Sequence, residues 1–328
     1  MDTALPRVDV VGVGLNAVDT LIRLPHFPSF DSKVEFLSDE ILPGGQVASA
    51  MVACQSWGLQ ARYIGKVGDD FAAQLQRDAL ARAGVESHLL AVPRCSSQFA
   101  YILIDRQSGE RTILWRRDPR LALRPEELRR EWIVSARALH VDGHDAAAAA
   151  AAACWAREAA IPVTADLDNL YPGVEALFEY VDYLLASRDF PARLTGEHDL
   201  HKSLPELLRR FGCRITGVTL GRDGALAWDG TRFLHSPGFR VKAVDTTGAG
   251  DIFHGAFVYA LLQGWPLERT LDFSNAAAAL NCTAIGARGG IRPVAEIELL
   301  MREGERYPAA LQGAGTTEQQ TSVPGRAE

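Results

Sequence analysis

Asp245-Thr246-Thr247-Gly248-Ala249-Gly250-Asp251 runs without interruption into the apolar-periodic segment from Ile252 to Leu262. A turn of this composition feeds the first turn of a helix and sets a carboxylate where that helix begins. It points successive backbone N–H groups into one concavity, and the helix dipole adds a positive partial charge of roughly half an elementary unit. The stretch reads as a cradle for phosphate. Asp251 at its lip can accept a proton from a hydroxyl as that oxygen attacks phosphorus, the task that phosphoryl transfer gives to a protein carboxylate. The plain alternative is a helix N-cap with glycines for a tight turn. Asp245 and the paired threonines before the turn, and Phe253, Ala256 and Phe257 as a buried face after it, favour the cradle.

Outward from this helix the chain alternates. Apolar, β-branched runs recur at Val8 to Val13, Arg62 to Val67, Ala138 to Val141, Val163 to Ala165, Tyr183 to Leu185 and Ile215 to Leu220. Helical periodicity lies between most of them, at Gln46 to Trp57, Phe71 to Ala83, Asp145 to Ala160 and Leu204 to Phe211. The order predicts an α/β fold with a mostly parallel, doubly wound sheet and helices on both faces. Two stretches break the rhythm: Asp19 to Phe36 alternates like strands, and Gln98 to Trp115 reads as a hairpin turning near Gln107-Ser108-Gly109. They predict a small antiparallel sheet, with strands within about residues 15–43 and 97–118, that covers the site as a lid or pairs with a second subunit's lid in a homodimer. A lid suits phosphoryl transfer, because water competes with the alcohol.

Gly12-Val13-Gly14-Leu15-Asn16-Ala17 matches the fingerprint of dinucleotide-binding folds, but that reading requires a helix immediately afterwards. Pro25 and Pro28 stand where the helix would run, so nicotinamide binding is rejected.

With 47% hydrophobic and 23% charged residues among 328, the composition is that of an ordinary globular protein. One domain over residues 1–311 is expected, with a polar, disordered tail over 312–328. The net charge of −7 argues against a nucleic-acid surface. Five cysteines without Cys-x-x-Cys spacing indicate neither a disulfide framework nor a zinc site, and fit a reducing cytoplasm. No apolar run approaches the roughly 18 residues of a membrane span. His140, His144 and His254 are not spaced as a metal site and are assigned no chemistry.

Gly44-Gly45 opening a helix and Ile64-Gly65-Lys66-Val67-Gly68-Asp69-Asp70, taken with Asp245 to Asp251, resemble the ribokinase-like (PfkB) carbohydrate kinases over roughly residues 8–300. Within that family, Glu110 to Leu114, Ser187-Arg188-Asp189 and Leu234-His235-Ser236 look like ketohexokinase, a fructokinase. Val244 to Gly255 and Cys282 to Ile291 look like the bacterial sulfofructose kinases.

The resemblance implies a ribokinase-like fold, ATP and Mg2+ as cofactors, and a role for each matching position. Asp251 is the expected general base, and Gly248, Ala249 and Gly250 the anion hole. Asp19 is expected to bind sugar hydroxyls beside Gly44 and Gly45, with Arg111 reaching in from the lid to the sugar or the transferring phosphate. Read without the family, Asp19 is a turn or cap residue and Arg111 a solvated hairpin charge. Thr219, Gly221 and Gly224 match the ATP ribose and phosphate region, and Asn275 the adenine pocket, unless it is a surface amide. Asp245 and Thr247, with carbonyls up to Gly286, match the region that binds a monovalent cation such as K+ in many relatives.

The chain also departs from the family. Ser187-x-x-Phe190 stands where the magnesium-linked Asn-x-x-Glu is usual, which leaves ATP oxygens, water and Asp166 to organise the metal. Gln46 replaces the usual sugar-binding Asn, with Ser49 the next polar contact. Asp142-Gly143-His144 offers no guanidinium for an anionic substrate, although Lys33 compensates in part. The expected acceptor is a small neutral sugar, a ketohexose such as fructose. Ribose, a nucleoside or an anionic sugar such as sulfofructose is the alternative, and a non-catalytic binding protein of the same fold a second one.

Overall fold

The computed structural model describes residues 7–107 and 111–308. The expected tail at 312–328 and the hairpin tip at Ser108 and Gly109 lie outside the described residues. The chain begins β1 (Val8–Val13), β2 (Ala17–Leu24), β3 (Ser38–Gly44), α1 (Gln46–Ser56), β4 (Ala61–Val67), α2 (Phe71–Arg82) and β5 (Glu86–Ala91). It continues through β6 (Phe99–Asp105), β7 (Arg111–Arg116), α3 (Arg130–Val134), β8 (Ala136–Asp142), α4 (Ala146–Glu158), β9 (Val163–Leu167), α5 (Glu175–Phe178) and β10 (Tyr183–Ser187). Then follow α6 (Phe190–Thr195), α7 (Leu200–Phe211), β11 (Ile215–Thr219), β12 (Ala225–Trp228), β13 (Phe233–Ser236), α8 (Ala249–Leu262), α9 (Leu267–Asn281) and α10 (Val294–Glu303).

Nine strands form the main sheet in the order β13-β12-β11-β10-β9-β8-β1-β4-β5, parallel from β11 to β5 with an antiparallel edge. Strands covered on both faces carry continuous apolar runs, as Val10, Val11 and Val13 of β1 do. The chain lays β4 and β5 on one side of β1 and then returns to place β8 on the other. A crevice opens at such a reversal, outside the carboxyl ends of the strands.

A four-stranded sheet of order β3-β2-β6-β7 stands beside this domain. Its outer pairs are antiparallel and its central pair, β2 with β6, is parallel. Gly12 to Ala17 leads into β2 rather than into a helix, as the rejection of dinucleotide binding requires. Only the first part of Asp19 to Phe36 is strand, because residues 25–37 run irregularly past Pro25 and Pro28 before β3. Helix α7 starts four residues before the expected Leu204, because Asp199 caps it by accepting from the His201 N–H and Pro205 falls inside its first turns. All five cysteines are free, and no helix among the described residues is long and apolar enough to cross a membrane.

Helix α8 is held from behind by an aromatic cluster that joins it to α1 and α9. Tyr259 stacks on Phe273 with centroids 5.4 Å apart, while Trp57 meets both edge-on at 5.8 Å. Phe273 is fully buried. Phe273→Ala is expected to cost about 3–5 kcal/mol, the range for a large aromatic removed from a packed core, read as a fall in the urea midpoint. A loss under about 1 kcal/mol contradicts the packing described.

Candidate active site

The carboxyl ends of the parallel strands and the inner face of the small sheet enclose a cleft of about 780 Å³. Leu15 after β1, His144 after β8, Asp166 in β9, Ser187 in β10 and Thr219 in β11 form its floor. Asp19, Ala100 and Trp115 face it from one cross-strand row of the lid. Arg111, also on this face, donates to the Thr246 hydroxyl and so spans from the lid to the glycine turn.

Thr246 to Asp251 line the cleft together. Gly248 has φ +73°, and a Cβ there would lie 2.4 Å from the Ala287 carbonyl oxygen, so both conformation and space demand glycine. Ala249 opens α8 and Asp251 sits in its first turn. Burial pushes the Asp251 carboxyl up to about 7, with Asp166 adding to the rise and His254 opposing it. The local rule that a helix N-terminus lowers a carboxylate's pKa predicts the opposite. Burial wins, and leaves a carboxylate that changes charge near neutral pH, as a general base at this position would need.

Asp19 is buried against bare backbone: a Cβ on Gly44 would lie 2.1 Å from its Oδ2. Burial lifts its carboxyl to about 6, while Arg288 pulls it down. Arg288 donates to the Gly44 carbonyl at 2.8 Å, to the Ser49 hydroxyl at 3.1 Å and to Gln76 at 3.4 Å. Burial lowers its pKa to about 10. Ser49 is therefore fully buried beneath the site, away from the cleft, because its hydroxyl serves Arg288. Gly45 does line the cleft, but its φ of +95° and a would-be Cβ 2.3 Å from the Asn16 Cα make its need for glycine internal.

Gln46 lines the cleft and hydrogen bonds to Asp166. Its Oε1, like that of Gln98 on the lid side, is buried without a partner among the described residues. Trp115, His144 and Tyr171 make an aromatic wall, with the Tyr171 hydroxyl 2.9 Å from His144 Nε2. Asp142 is buried behind that wall, where it accepts the N–H groups of Leu15 and His144 and does not line the cleft. Lys33 is exposed and also lies outside the cleft lining. The charge facing the cleft comes instead from Asp19, Asp166, Asp168 and Asp251 against Arg111 and Arg222.

His254 is not an idle core histidine. Its Nε2 lies 3.1 Å from Asp166 Oδ1, and both residues border the cleft. Burial opposes the charge of Asp166, yet His254 holds its carboxyl below the usual range. Burial and Asp166 together push Asp168 up to about 6.

At the other end, Thr219, Gly221, Gly224 and Asn275 border a slot walled by Phe239, Ala278, Ala279 and Tyr307. Asn275 is no surface amide. Its Nδ2 donates to both the carbonyl and the hydroxyl of Ser236, which leaves only its oxygen toward the slot. Asp245, Thr247 and Gly286 are joined by direct hydrogen bonds: Asp245 Oδ1 accepts the Thr247 N–H and hydroxyl, and Oδ2 accepts the Gly286 N–H. Asp69 and Asp70, in the Ile64 to Asp70 motif, hold the 94–97 turn and cap α2, a structural duty away from the cleft.

Sequence reasoning missed Gln98, Trp115, Tyr171, Asp168, Arg222 and Arg288. Only Arg222 carried a local signal, a basic residue inside Gly221-x-x-Gly224.

A helix N-terminus with main-chain donors, a carboxylate of raised pKa in its first turn and a cleft lined by acceptor side chains fit a phosphotransferase with an alcohol acceptor. The sequence profile of the pfkB family carbohydrate kinases matches residues 9–293, and the chain belongs to that family. It is 33% identical to the ATP-dependent ribose-1-phosphate kinase of Halopiger xanaduensis, over 86% of this chain and 94% of that one. It is 26% identical to the ribokinase of Bacillus subtilis, over 88% and 98%. The crystal structure of a putative ribokinase from Agrobacterium tumefaciens superposes with a TM-score of 0.84 at 30% identity, covering 90% of this chain and 98% of that one. The fold is ribokinase-like, and the chain is a carbohydrate kinase.

The raised pKa of Asp251 sets a sign for pH. A general base at Asp251 would work ionised, so kcat/KM is expected to fall as pH drops through about 7 and level off above it. Asp251→Asn should lower kcat at least about a hundredfold and abolish that limb. A profile flat from pH 5.5 to 8.5 in the unaltered enzyme, at the limits of about one and a half pH units on either side, contradicts the assignment.

Proposed function

We propose that this kinase transfers the γ-phosphoryl group of ATP to a hydroxyl of a small neutral sugar, with a ketohexose such as fructose as the leading candidate. The observation that carries this reading is the opposition of two donor–acceptor sets across one cleft. On one side are the main-chain N–H groups that open α8, suited to the terminal phosphate. On the other are the Asp19 carboxylate and the unpartnered oxygens of Gln46 and Gln98, which can only accept, and so suit the O–H donors of a sugar.

The nucleotide is assigned to the slot beyond Thr219, with its base between Phe239, Tyr307 and the small residues Ala278 and Ala279, and its phosphates running toward Gly248. The sugar enters beneath the lid and turns one hydroxyl toward Asp251. Asp251 takes that proton as the oxygen attacks in line, and the N–H groups of 248–250 stabilise the charge on the transferring group. Arg111 closes the cleft from the lid and adds a positive charge beside the same turn.

Magnesium fits the donor set. Asp166 and Asp168 put two carboxylates at the cleft, and their mutual repulsion favours a hard cation with oxygen ligands. No cluster of three or more acidic, histidine or cysteine side chains suited to a metal occurs among the described residues. Asp166 and Asp168 would therefore hold the ion partly through water, and the ion would neutralise nucleotide phosphate charge.

One observation favours a second reading. The relative from Halopiger xanaduensis is named for ribose 1-phosphate, and Arg111 offers an anionic sugar one cation. The acid-rich acceptor end weighs against it, because an anion buried there meets more carboxylates than guanidinium groups. The lid's outer face presents Ile41, Tyr101 and Leu114 exposed in a single cross-strand row, which we assign to pairing with the lid of a second copy.

ADP release measured across fructose, ribose, ribose 1-phosphate, sulfofructose and nucleosides tests the assignment. Fructose should give the highest kcat/KM, and preference for a phosphorylated or sulfonated sugar overturns the neutral-acceptor reading. Gln98→Leu should raise the sugar KM about tenfold or more by removing one hydroxyl acceptor, with the ATP KM unchanged.

A further inference from the structure

The side chain of Asn281, the last residue of α9, is fully buried and spends its hydrogen bonds on the backbone around the phosphate turn. Its Nδ2 donates to the carbonyl oxygens of Thr247 and Ala287, at 3.2 Å each, and its Oδ1 accepts the Gly290 N–H at 3.1 Å. Thr247 immediately precedes Gly248, and Gly248 packs against Ala287 so closely that a Cβ would collide with it. Asn281 thus draws the turn that forms the anion hole onto the loop 284–290. The same loop carries Arg288, which reaches the Gly44 carbonyl beside Asp19. One amide therefore ties the phosphate end of the cleft to the sugar end.

The family resemblance implies that Asp245, Thr247 and Gly286 lie in the region that binds a monovalent cation in many relatives. The groups around them do not fit that role. A cation of this kind is held by several oxygens that converge on it in place of its hydration shell. Here both Asp245 oxygens are engaged by the N–H groups of Thr247 and Gly286 and by the Thr247 hydroxyl. The Thr247 and Ala287 carbonyls receive the Asn281 amide, and the Gly286 carbonyl receives the Gly289 N–H at 3.3 Å. Donor protons stand where a cation would need unshared oxygens.

We propose that the Asn281 carboxamide takes the place of a monovalent cation in this enzyme, so that the anion hole is ordered without K+ or Na+. Two N–H dipoles supply the positive charge that holds the Thr247 and Ala287 carbonyls together. Asn281 is a positioning residue: it shapes the donors at 248–250 and touches neither substrate. Removing it leaves two buried carbonyls unpaired and opens a space into which a cation can move.

The proposal rests on the kinase reading, and two measurements keep them separable. Turnover is followed by ADP release with the best sugar of the panel, in KCl, NaCl or tetramethylammonium chloride at equal ionic strength and fixed Mg2+. Thermal melting of the enzyme alone is recorded in the same salts. The wild type should show the same kcat and the same ATP KM within about twofold in all three, and one Tm. Asn281→Ala should lose roughly tenfold or more in kcat in tetramethylammonium chloride, the scale of one lost buried hydrogen-bonding group. K+ should restore part of that loss and raise the variant's Tm. Several-fold stimulation of the wild type by K+, a wild-type Tm raised by K+ over tetramethylammonium, or full turnover of Asn281→Ala without K+ each overturns it. If the variant does not fold, the wild-type salt comparison decides. If no sugar is turned over in any salt, the kinase reading fails while melting still tests the clasp.

Discussion

The first turn of α8 has to satisfy two opposed electrostatic demands within four residues. Its N–H groups favour negative charge, although that of Ala249 also reaches the Thr246 carbonyl at 3.3 Å, whereas burial of the carboxylate that follows them disfavours it. At Asp251 burial prevails and the pKa rises to about 7. A carboxylate that changes charge near neutral pH thus lies beside main-chain donors of the same turn, the pair we propose as general base and anion hole. Everything else in the fold serves to hold this turn at the mouth of the crevice. The sheet reverses its order at β1 and β8, the aromatic cluster around Phe273 backs α8, and Asp245 and Asn281 fasten its approach.

The acceptor side depends on a second balance. Asp19 comes in on the lid strand β2 and is buried against Gly44, where burial raises its carboxyl to about 6 and Arg288 opposes the rise. Arg288 is tied to Gly44, Ser49 and Gln76, so its charge is fixed rather than free to follow a ligand. The small sheet is therefore more than a cover. It brings the Asp19 carboxylate to the cleft, and through Arg111 it contacts the glycine turn itself. The sheet that covers the cleft thus also supplies side chains to it, an arrangement that suits a reaction that must exclude water.

Much of this was legible in the sequence, because the informative signals are local. Gly248 to Asp251 announces itself by spacing, the βα alternation predicts the parallel sheet, and the missing helix after Gly14 excludes a dinucleotide fold. What local pattern cannot carry is reach. Arg288 meets Ser49 across 239 residues and Asn281 meets Thr247 across 34, so neither partnership leaves a mark at its own position. Ser49 looked like a sugar contact by helical spacing, but spacing does not reveal that a distant arginine claims its hydroxyl. The raised pKa of Asp251 is out of sequence reach for the same reason: the helix dipole is a local effect, whereas burial and the charge of Asp166 come from the assembled fold. The sequence left Asn275 between the adenine pocket and a surface amide and gave His254 no chemistry, because their partners Ser236 and Asp166 come from β13 and β9.

The central claim is that Asp251 accepts the sugar proton while the amides opening α8 hold the transferring phosphoryl group. A crystal structure with ADP, aluminium fluoride, Mg2+ and the preferred sugar tests it most directly. The fluoride group should lie against the N–H groups of 248–250, with one sugar hydroxyl about 2.6–3.2 Å from an Asp251 oxygen. A fluoride group seated elsewhere in the cleft, or an Asp251 carboxylate turned away from every sugar hydroxyl, contradicts the account.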